Sequence, residues 1–164
     1  CSSDLGNNGL SNKGNSRRQS FLNFHPMTFH SFPTHEVAQL SQRLLELIAH
    51  LDNRRYEAVA DLFTPEGRWL RQGSWFEGRQ AILGALESRP KDMQVRHVLT
   101  NILVTALTHD EARVDAYMTA YRQLKGQRPE LFSINTVDTV FRRVDGVWLI
   151  AEQKMVREFE FSAS

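Results

Sequence analysis

The sequence predicts an α+β fold in which helices come first and a curved antiparallel sheet follows. Apolar residues recur every three or four positions over residues 37–51 and again over 82–86, a spacing typical of amphipathic helices. After Pro90, apolar and polar residues alternate along four long segments, as they do in strands. Helices grouped before strands favour an α+β fold over an alternating α/β fold. Such long strands twist and are expected to curl around the helices.

The first predicted helix covers about residues 35–51. Thr34 is suited to cap its start, and Glu36 places a negative charge in its first turn. The inward stripe of this helix is regular. It contains Val37, Leu40, Leu44, Leu47, Ile48 and Leu51.

Four shorter elements are expected next. A second helix over residues 56–63 should end before Pro65, because the residue preceding a proline disfavours helical backbone. Residues 67–78 predict two short strands around a central glycine. A third helix then runs to a point just before Pro90. Its inward residues are expected to be Ile82, Leu83 and Leu86.

Four long strands are predicted at residues 93–107, 111–124, 131–144 and 146–161. The last two are joined by Asp145-Gly146, which is typical of a tight hairpin turn. Leu, Val and Ile occur at both parities of these strands. Both faces of the sheet therefore need cover, and dimerisation through the sheet is the simplest cover for the face away from the helices.

The first long strand carries an unusual mixture of side chains. Under strict alternation one of its faces contains Val95, His97, Leu99, Asn101 and Leu103. An imidazole and an amide then share a face with aliphatic residues. This mixture makes the strand a candidate for a functional site.

Residues 1–33 are predicted to form a disordered or extended segment ahead of one domain at 34–161. The first twenty residues are rich in Ser, Asn and Gly and cannot bury enough apolar surface to offset the entropy of ordering. Met27 could be a natural start, which would make residues 1–26 upstream sequence. Alternatively, Cys1 could be the lipidated first residue of a mature lipoprotein and anchor the chain to a membrane.

Composition argues against several classes of protein. Twenty basic and nineteen acidic residues nearly cancel, so no strong field favours nucleic acid. No apolar run approaches the length of a membrane helix. The single cysteine fits a reducing compartment, and a cytoplasmic location is expected. No glycine-rich phosphate loop or nucleophile elbow is present, so no cofactor is expected. The spacing of three early histidines suits no compact metal site; these are His25, His30 and His35.

Four strings resemble the SnoaL-like group of the nuclear transport factor 2-like (NTF2-like) superfamily. They are LDNRRYEAVADLFTPEGRW, FEGRQAIL, RHVLTN and FRRVDGVWLIAEQK, and the resemblance covers about residues 35–160. It implies a cone-shaped α+β barrel, with three helices packed on a strongly bent antiparallel sheet that encloses an apolar pocket. It also implies a homodimer and a small apolar molecule in the pocket.

The resemblance further implies a general base. In scytalone dehydratase and hexachlorocyclohexane dehydrochlorinase, an aspartate at the end of the first helix orients a histidine on the first long strand. Asp52 and His97 match these positions. An imidazole titrates near neutral pH, so it can take up and return a proton. Gln153 stands where the dehydrochlorinase has an arginine, which favours dehydration or isomerisation of a neutral substrate over elimination of an anion.

Six other residues are candidate pocket residues, each with a structural alternative. Packing on the sheet is the alternative for Tyr56, core packing for Trp69, and an ion pair with a nearby arginine for Asp138. The remaining three candidates are Asn101, Tyr117 and Tyr121.

Two functions follow from these residues. One is a cofactor-independent lyase (dehydratase) or isomerase that acts on a small apolar or cyclic substrate. The other is a non-catalytic binding or structural dimer module that resembles the small subunit of ring-hydroxylating dioxygenases. In the second case Asp52 is an ordinary turn residue, and the only role of His97 is to link the strand to the helix by a hydrogen bond.

Overall fold

The computed structural model describes residues 31–161, and the predictions for residues 1–30 lie outside that range. The described chain has three helices and six strands. They are α1 (Thr34–Asp52), α2 (Tyr56–Asp61), β1 (Phe63–Arg71), β2 (Ser74–Glu77), α3 (Arg79–Glu87), β3 (Met93–Leu107), β4 (Glu111–Leu124), β5 (Glu130–Val144) and β6 (Val147–Glu160).

The six strands form one curved sheet in the order β2-β1-β6-β5-β4-β3. The predicted α+β class is confirmed, and the sheet is open, with β2 and β3 at its edges. The four long strands pair as antiparallel neighbours in chain order, as predicted. One pair differs from the prediction, because β1 runs parallel to β6.

The start of β1 differs from the sequence prediction. The second helix ends at Asp61, and the chain enters β1 at Phe63, ahead of Pro65. The register between β1 and β6 shifts within this stretch, and a bulge is a position where a strand tolerates proline. Gly67 lies in the same irregular stretch. A larger residue does not fit there without a shift of the backbone, because a Cβ would lie 2.8 Å from the carbonyl oxygen of Ile150.

Strand β3 contains a bulge that the sequence analysis did not anticipate. Asn101 has a φ of +53°, and the register with β4 shifts between Thr100 and Leu103. An added residue reverses the alternation that follows it. The prediction that Leu103 shares a face with His97 is therefore wrong, since Leu103 is 61% exposed and Val104 is buried instead.

The core lies between the helices and the inner face of the sheet, which is the face that the helices cover. Most of the predicted stripe of α1 is buried: Leu40, Leu44, Leu47, Ile48 and Leu51. From α3, Ile82 and Leu86 are buried, whereas Leu83 is half-buried. The sheet contributes Val114, Val137, Phe141 and Ile150. Within residues 31–161, no helix has the length and apolar character needed to cross a membrane.

Glu36 fixes the start of α1 to the β5–β6 hairpin. Its Oε2 accepts a hydrogen bond from the Trp148 indole at 2.8 Å, and its Oε1 lies 2.6 Å from Nη2 of Arg143. The Arg143 guanidinium also stacks on the Trp148 ring at 4.1 Å. The hydrogen bond from Trp148 lowers the pKa of Glu36, burial opposes this, and Arg143 lowers the pKa further.

Replacing Glu36 with glutamine should destabilise the fold in a pH-dependent way. A lowered folded-state pKa stabilises the protein above the unfolded pKa, and this stability is lost as pH falls through the folded value. We expect Glu36→Gln to lower the free energy of unfolding by about 1–2 kcal/mol at neutral pH. The difference should shrink below the ordinary glutamate value of 4.5. Urea titrations at several pH values measure this, with the exposed Glu57→Gln as control; a difference independent of pH would contradict the assignment.

Candidate functional site

The carboxyl end of α1 is held against β3 by two arginines. Arg96 donates from Nη1 to the Asp52 carbonyl at 2.8 Å. Arg54, which follows the helix with a φ of +57°, donates from Nη2 to the carbonyls of Pro90 at 2.9 Å and Met93 at 2.5 Å. These bonds satisfy carbonyls that the helix end and the strand start leave open. They fix the position of the last helical residue, Asp52.

Asp52 contacts His97 through both carboxylate oxygens. Oδ1 lies 2.5 Å from Nδ1 of the imidazole, and Oδ2 accepts the backbone N–H of His97 at 2.9 Å. The two side chains are only 10% and 9% exposed, respectively. One carboxylate therefore fixes both the backbone and the ring of His97, 45 residues away in sequence.

This contact sets the tautomer of the ring. A carboxylate in its ionised form only accepts hydrogen bonds, so the proton between the two groups belongs to Nδ1. In the neutral imidazole the other nitrogen, Nε2, then carries a lone pair. Within residues 31–161, Nε2 has no hydrogen-bond partner. The free nitrogen is the basic one.

His97 lines a cavity of about 410 Å³. The cavity lies between the inner sheet face and the segments around Leu51 and Gly73. Its apolar lining includes Leu51, Met93, Val95, Met118, Ala120, Phe132 and Met155, and its polar lining includes Arg71, Arg89, His97, Ser133, Asn135 and Arg157. The volume is suitable for a small organic molecule.

Three of the predicted pocket residues lie outside the lining of this cavity, in or against the core. Trp69 and Gln153 are fully buried and are register partners on β1 and β6. Gln153 Nε2 donates to Thr139 at 3.1 Å. Tyr56 is half-buried against the core, with the Arg89 guanidinium 5.9 Å from its ring. Because Gln153 does not line the cavity, its lack of charge does not determine the electrostatics there.

The other four predicted residues also lie outside the cavity lining. Asn101 is exposed at the bulge. Tyr117 and Tyr121 lie opposite in parity to the cavity-lining Met118 and Ala120, so they occupy the outer face of the sheet. Asp138 is on that face too, across from Asp115, and it forms no ion pair with any arginine among residues 31–161. Burial raises the pKa of Asp115, the Asp138 charge raises it further, and Arg113 opposes both.

The sequence analysis missed several cavity residues. Ser133 and Asn135 are buried and share the inner face of β5 with Val137. Asn135 donates from Nδ2 to the Met118 carbonyl at 3.2 Å and to Ser133 Oγ at 3.0 Å. The sequence signal for these two residues was a polar side chain at strand positions whose alternate neighbours are apolar. Arg71 and Arg89 gave no such signal, because they lie next to turns, where arginine is ordinary.

No group of three or more potential metal ligands occurs in the described part of the chain. The His97 ring has a carboxylate on one side and the cavity on the other. This arrangement can transfer a proton between Nε2 and a bound molecule.

The chain is similar to a known domain family in sequence and to several solved structures in fold. A family model described as a SnoaL-like domain matches residues 34–154. No match was found among curated protein sequences.

Solved structures share the fold at low sequence identity. A candidate scytalone dehydratase from Novosphingobium aromaticivorans is 18% identical with a TM-score of 0.70, over 80% of this chain and 91% of that one. An NTF2-like protein with a cystatin-like fold from the same organism is 17% identical with a TM-score of 0.69, over 76% and 83%. A Catenulispora acidiphila protein in complex with S-DNPA is 23% identical with a TM-score of 0.65, over 75% and 95%.

Proposed function

The chain belongs to the SnoaL-like domain family, as its motifs predicted, and we propose that it is a cofactor-independent lyase or isomerase. Its substrate is a small, largely apolar or cyclic molecule bound in the cavity. His97 is the general base, and Asp52 positions it. The similarity in fold to a candidate scytalone dehydratase is consistent with this class of reaction.

The observation that carries the proposal is the free Nε2 of a ring whose other nitrogen is bound to Asp52. A structural histidine usually has both nitrogens satisfied when it is buried. Here the ring is almost fully buried, His97 lines the cavity, and Nε2 has no hydrogen-bond partner within residues 31–161. A base in this position can reach a molecule bound in the cavity.

The proposed dehydration proceeds in two proton transfers. His97 Nε2 takes a proton from carbon next to a carbonyl group, and the C–H electrons form the new double bond as the C–O bond to a hydroxyl breaks. The imidazolium then gives its proton to the departing hydroxyl, which leaves as water. Asp52 stabilises the imidazolium between the two transfers. Isomerisation differs only in returning the proton to another carbon.

A generic proton-abstraction probe tests this proposal without knowledge of the natural substrate. A nitrobenzisoxazole opens when a base removes its C–H proton, and the ring opening releases a coloured phenolate. We expect the protein to open this compound with saturable kinetics, well above the rate in buffer. Binding without turnover would instead favour the non-catalytic module.

We also propose that the outer face of the sheet, defined by Val98, Tyr117, Tyr121 and Phe159, is the contact between two copies of the chain. Val98 and Phe159 belong to one row across the sheet, through Thr119 and Ile134. Val98 is 47% exposed and Phe159 60% exposed. Exposed apolar side chains grouped on one sheet face are typical of interfaces, and closed two-fold dimers are the commonest soluble oligomers.

Light scattering on Val98→Lys tests the dimer. A lysine at this row places a charge within the proposed contact, and removing water from an unpaired charge is costly. We expect the wild-type chain to have the mass of a dimer and the variant that of a monomer. Val147→Lys is the matched control, because Val147 is similarly exposed at 41% but lies at the β5–β6 turn. A monomeric wild-type chain would contradict the proposal.

A further inference from the structure

Two arginines of the cavity have no acidic partner in the part of the chain that the structure describes. Three arginines line the cavity, namely Arg71, Arg89 and Arg157, and its lining contains no aspartate or glutamate. Arg157 forms an ion pair with Glu160 at 2.8 Å. Within residues 31–161, Arg71 and Arg89 form no ion pair.

Arg89 is the more deeply buried of the two. It is only 9% exposed, and the one side-chain hydrogen bond that it forms within residues 31–161 runs from Nη1 to the Leu51 carbonyl at 3.2 Å. Its Nε is buried and has no partner among the described residues. A guanidinium presents five donors, so most of the hydrogen-bonding capacity of this group is unused.

Arg71 reaches the same cavity from the end of β1. Its guanidinium group lies near the Trp69 ring, whose centroid is 5.8 Å from the guanidinium carbon. Burial lowers the pKa of Arg71, and the positive charge of Arg89 lowers it further, while Tyr56 opposes this. The two guanidinium groups therefore repel each other, with no carboxylate between them.

A buried cation without an acidic partner is costly. Arginine is almost never found fully buried unless it is paired. Arg89 is such a group, and the half-buried Arg71 borders the same cavity. Together the two guanidinium groups supply the forked donors that match a carboxylate.

We propose that Arg71 and Arg89 bind an anionic group of the substrate, so that the cavity accepts a small apolar molecule carrying one carboxylate. This inference rests on the proposed function, because it assigns the substrate class of the same cavity. The carboxylate lies at the arginines, and the apolar body lies against Val95, Met118 and Met155. His97 then faces the body of the molecule rather than its charged group.

Calorimetric titration with benzoate and with benzamide tests the assignment. The two probes are similar in shape, but only benzoate is charged. We expect benzoate to bind more tightly than benzamide and to lose about 10- to 100-fold in affinity in Arg71→Gln. The affinity for benzamide should hardly change with that substitution. Arg142→Gln, an exposed arginine toward the far end of β5, is the matched control and should bind benzoate as the wild type does.

Arg71→Gln is the primary variant, because the Arg71 side chain forms no hydrogen bond within residues 31–161. Arg89 holds the end of α1, so the second variant is Arg89→Lys, which keeps the positive charge but loses the forked pair of donors. It should also weaken benzoate binding. Equal affinities for benzoate and benzamide, or unchanged benzoate binding in Arg71→Gln, would overturn the proposal. Binding is measured here without turnover. The protein could bind benzoate through the arginines and yet fail to open nitrobenzisoxazole. That result would contradict the proposed base chemistry and support the anion site.

Discussion

His97→Gln should reduce nitrobenzisoxazole turnover by about 10²–10⁴-fold, the usual contribution of a general base. Glutamine has a similar reach, but it cannot accept a proton at neutral pH. Its amide can still donate to Asp52, and the backbone N–H of residue 97 still meets Oδ2. We therefore expect the melting temperature to change by only a few degrees while the rate falls to near the level of buffer.

The chain offers a matched control for this variant. His109 contacts Asp110 through Nδ1 at 2.6 Å, but this pair is 88% and 73% exposed and lies in the β3–β4 turn. His109→Gln should leave turnover unchanged. A loss of rate in His109→Gln equal to that in His97→Gln would show that the activity does not come from the cavity.

Asp52→Asn should have the second-largest effect, because it inverts the tautomer of His97. The amide oxygen can take the place of Oδ2 and keep the bond from the His97 backbone. The amide nitrogen then faces Nδ1, which must become an acceptor. The ring proton consequently moves to Nε2, and the base facing the cavity is lost. We expect turnover to fall by about 10²-fold or more with little loss of stability.

The same assay with Asp92→Asn separates this effect from a general change of charge. Asp92 is exposed just before β3 and should be replaceable without loss of rate. A folded Asp52→Asn variant that retains wild-type turnover would show that the carboxylate has only a structural role.

The helices and long strands were predictable because their apolar periods are local properties of the sequence. The stripe of α1 and the turn at Asp145-Gly146 are clear examples. The bulge at Asn101 was not predictable, because one added residue leaves the composition unchanged and shows only in the pairing with β4. The parallel pairing of β1 with β6 depends equally on contacts distant in sequence.

The site was only partly predictable, for a related reason. The family resemblance indicated Asp52 and His97, and the structure places them in contact. It could not indicate which other side chains border the cavity, since that depends on strand parity after the bulge and on turns. Tyr117 lies on the outer face of β4, while Arg71 borders the cavity from the end of β1 and Arg89 from the segment after α3.

Nitrogen-15 NMR of the His97 ring in the folded protein shows directly which ring nitrogen carries the proton. In the neutral ring we expect a protonated Nδ1 and an unprotonated Nε2, and the Nε2 signal should shift when benzoate enters the cavity. In Asp52→Asn the proton should move to Nε2. A wild-type ring that carries its proton on Nε2, or an Nε2 signal unaffected by a bound ligand, would contradict the assignment of His97 as the base.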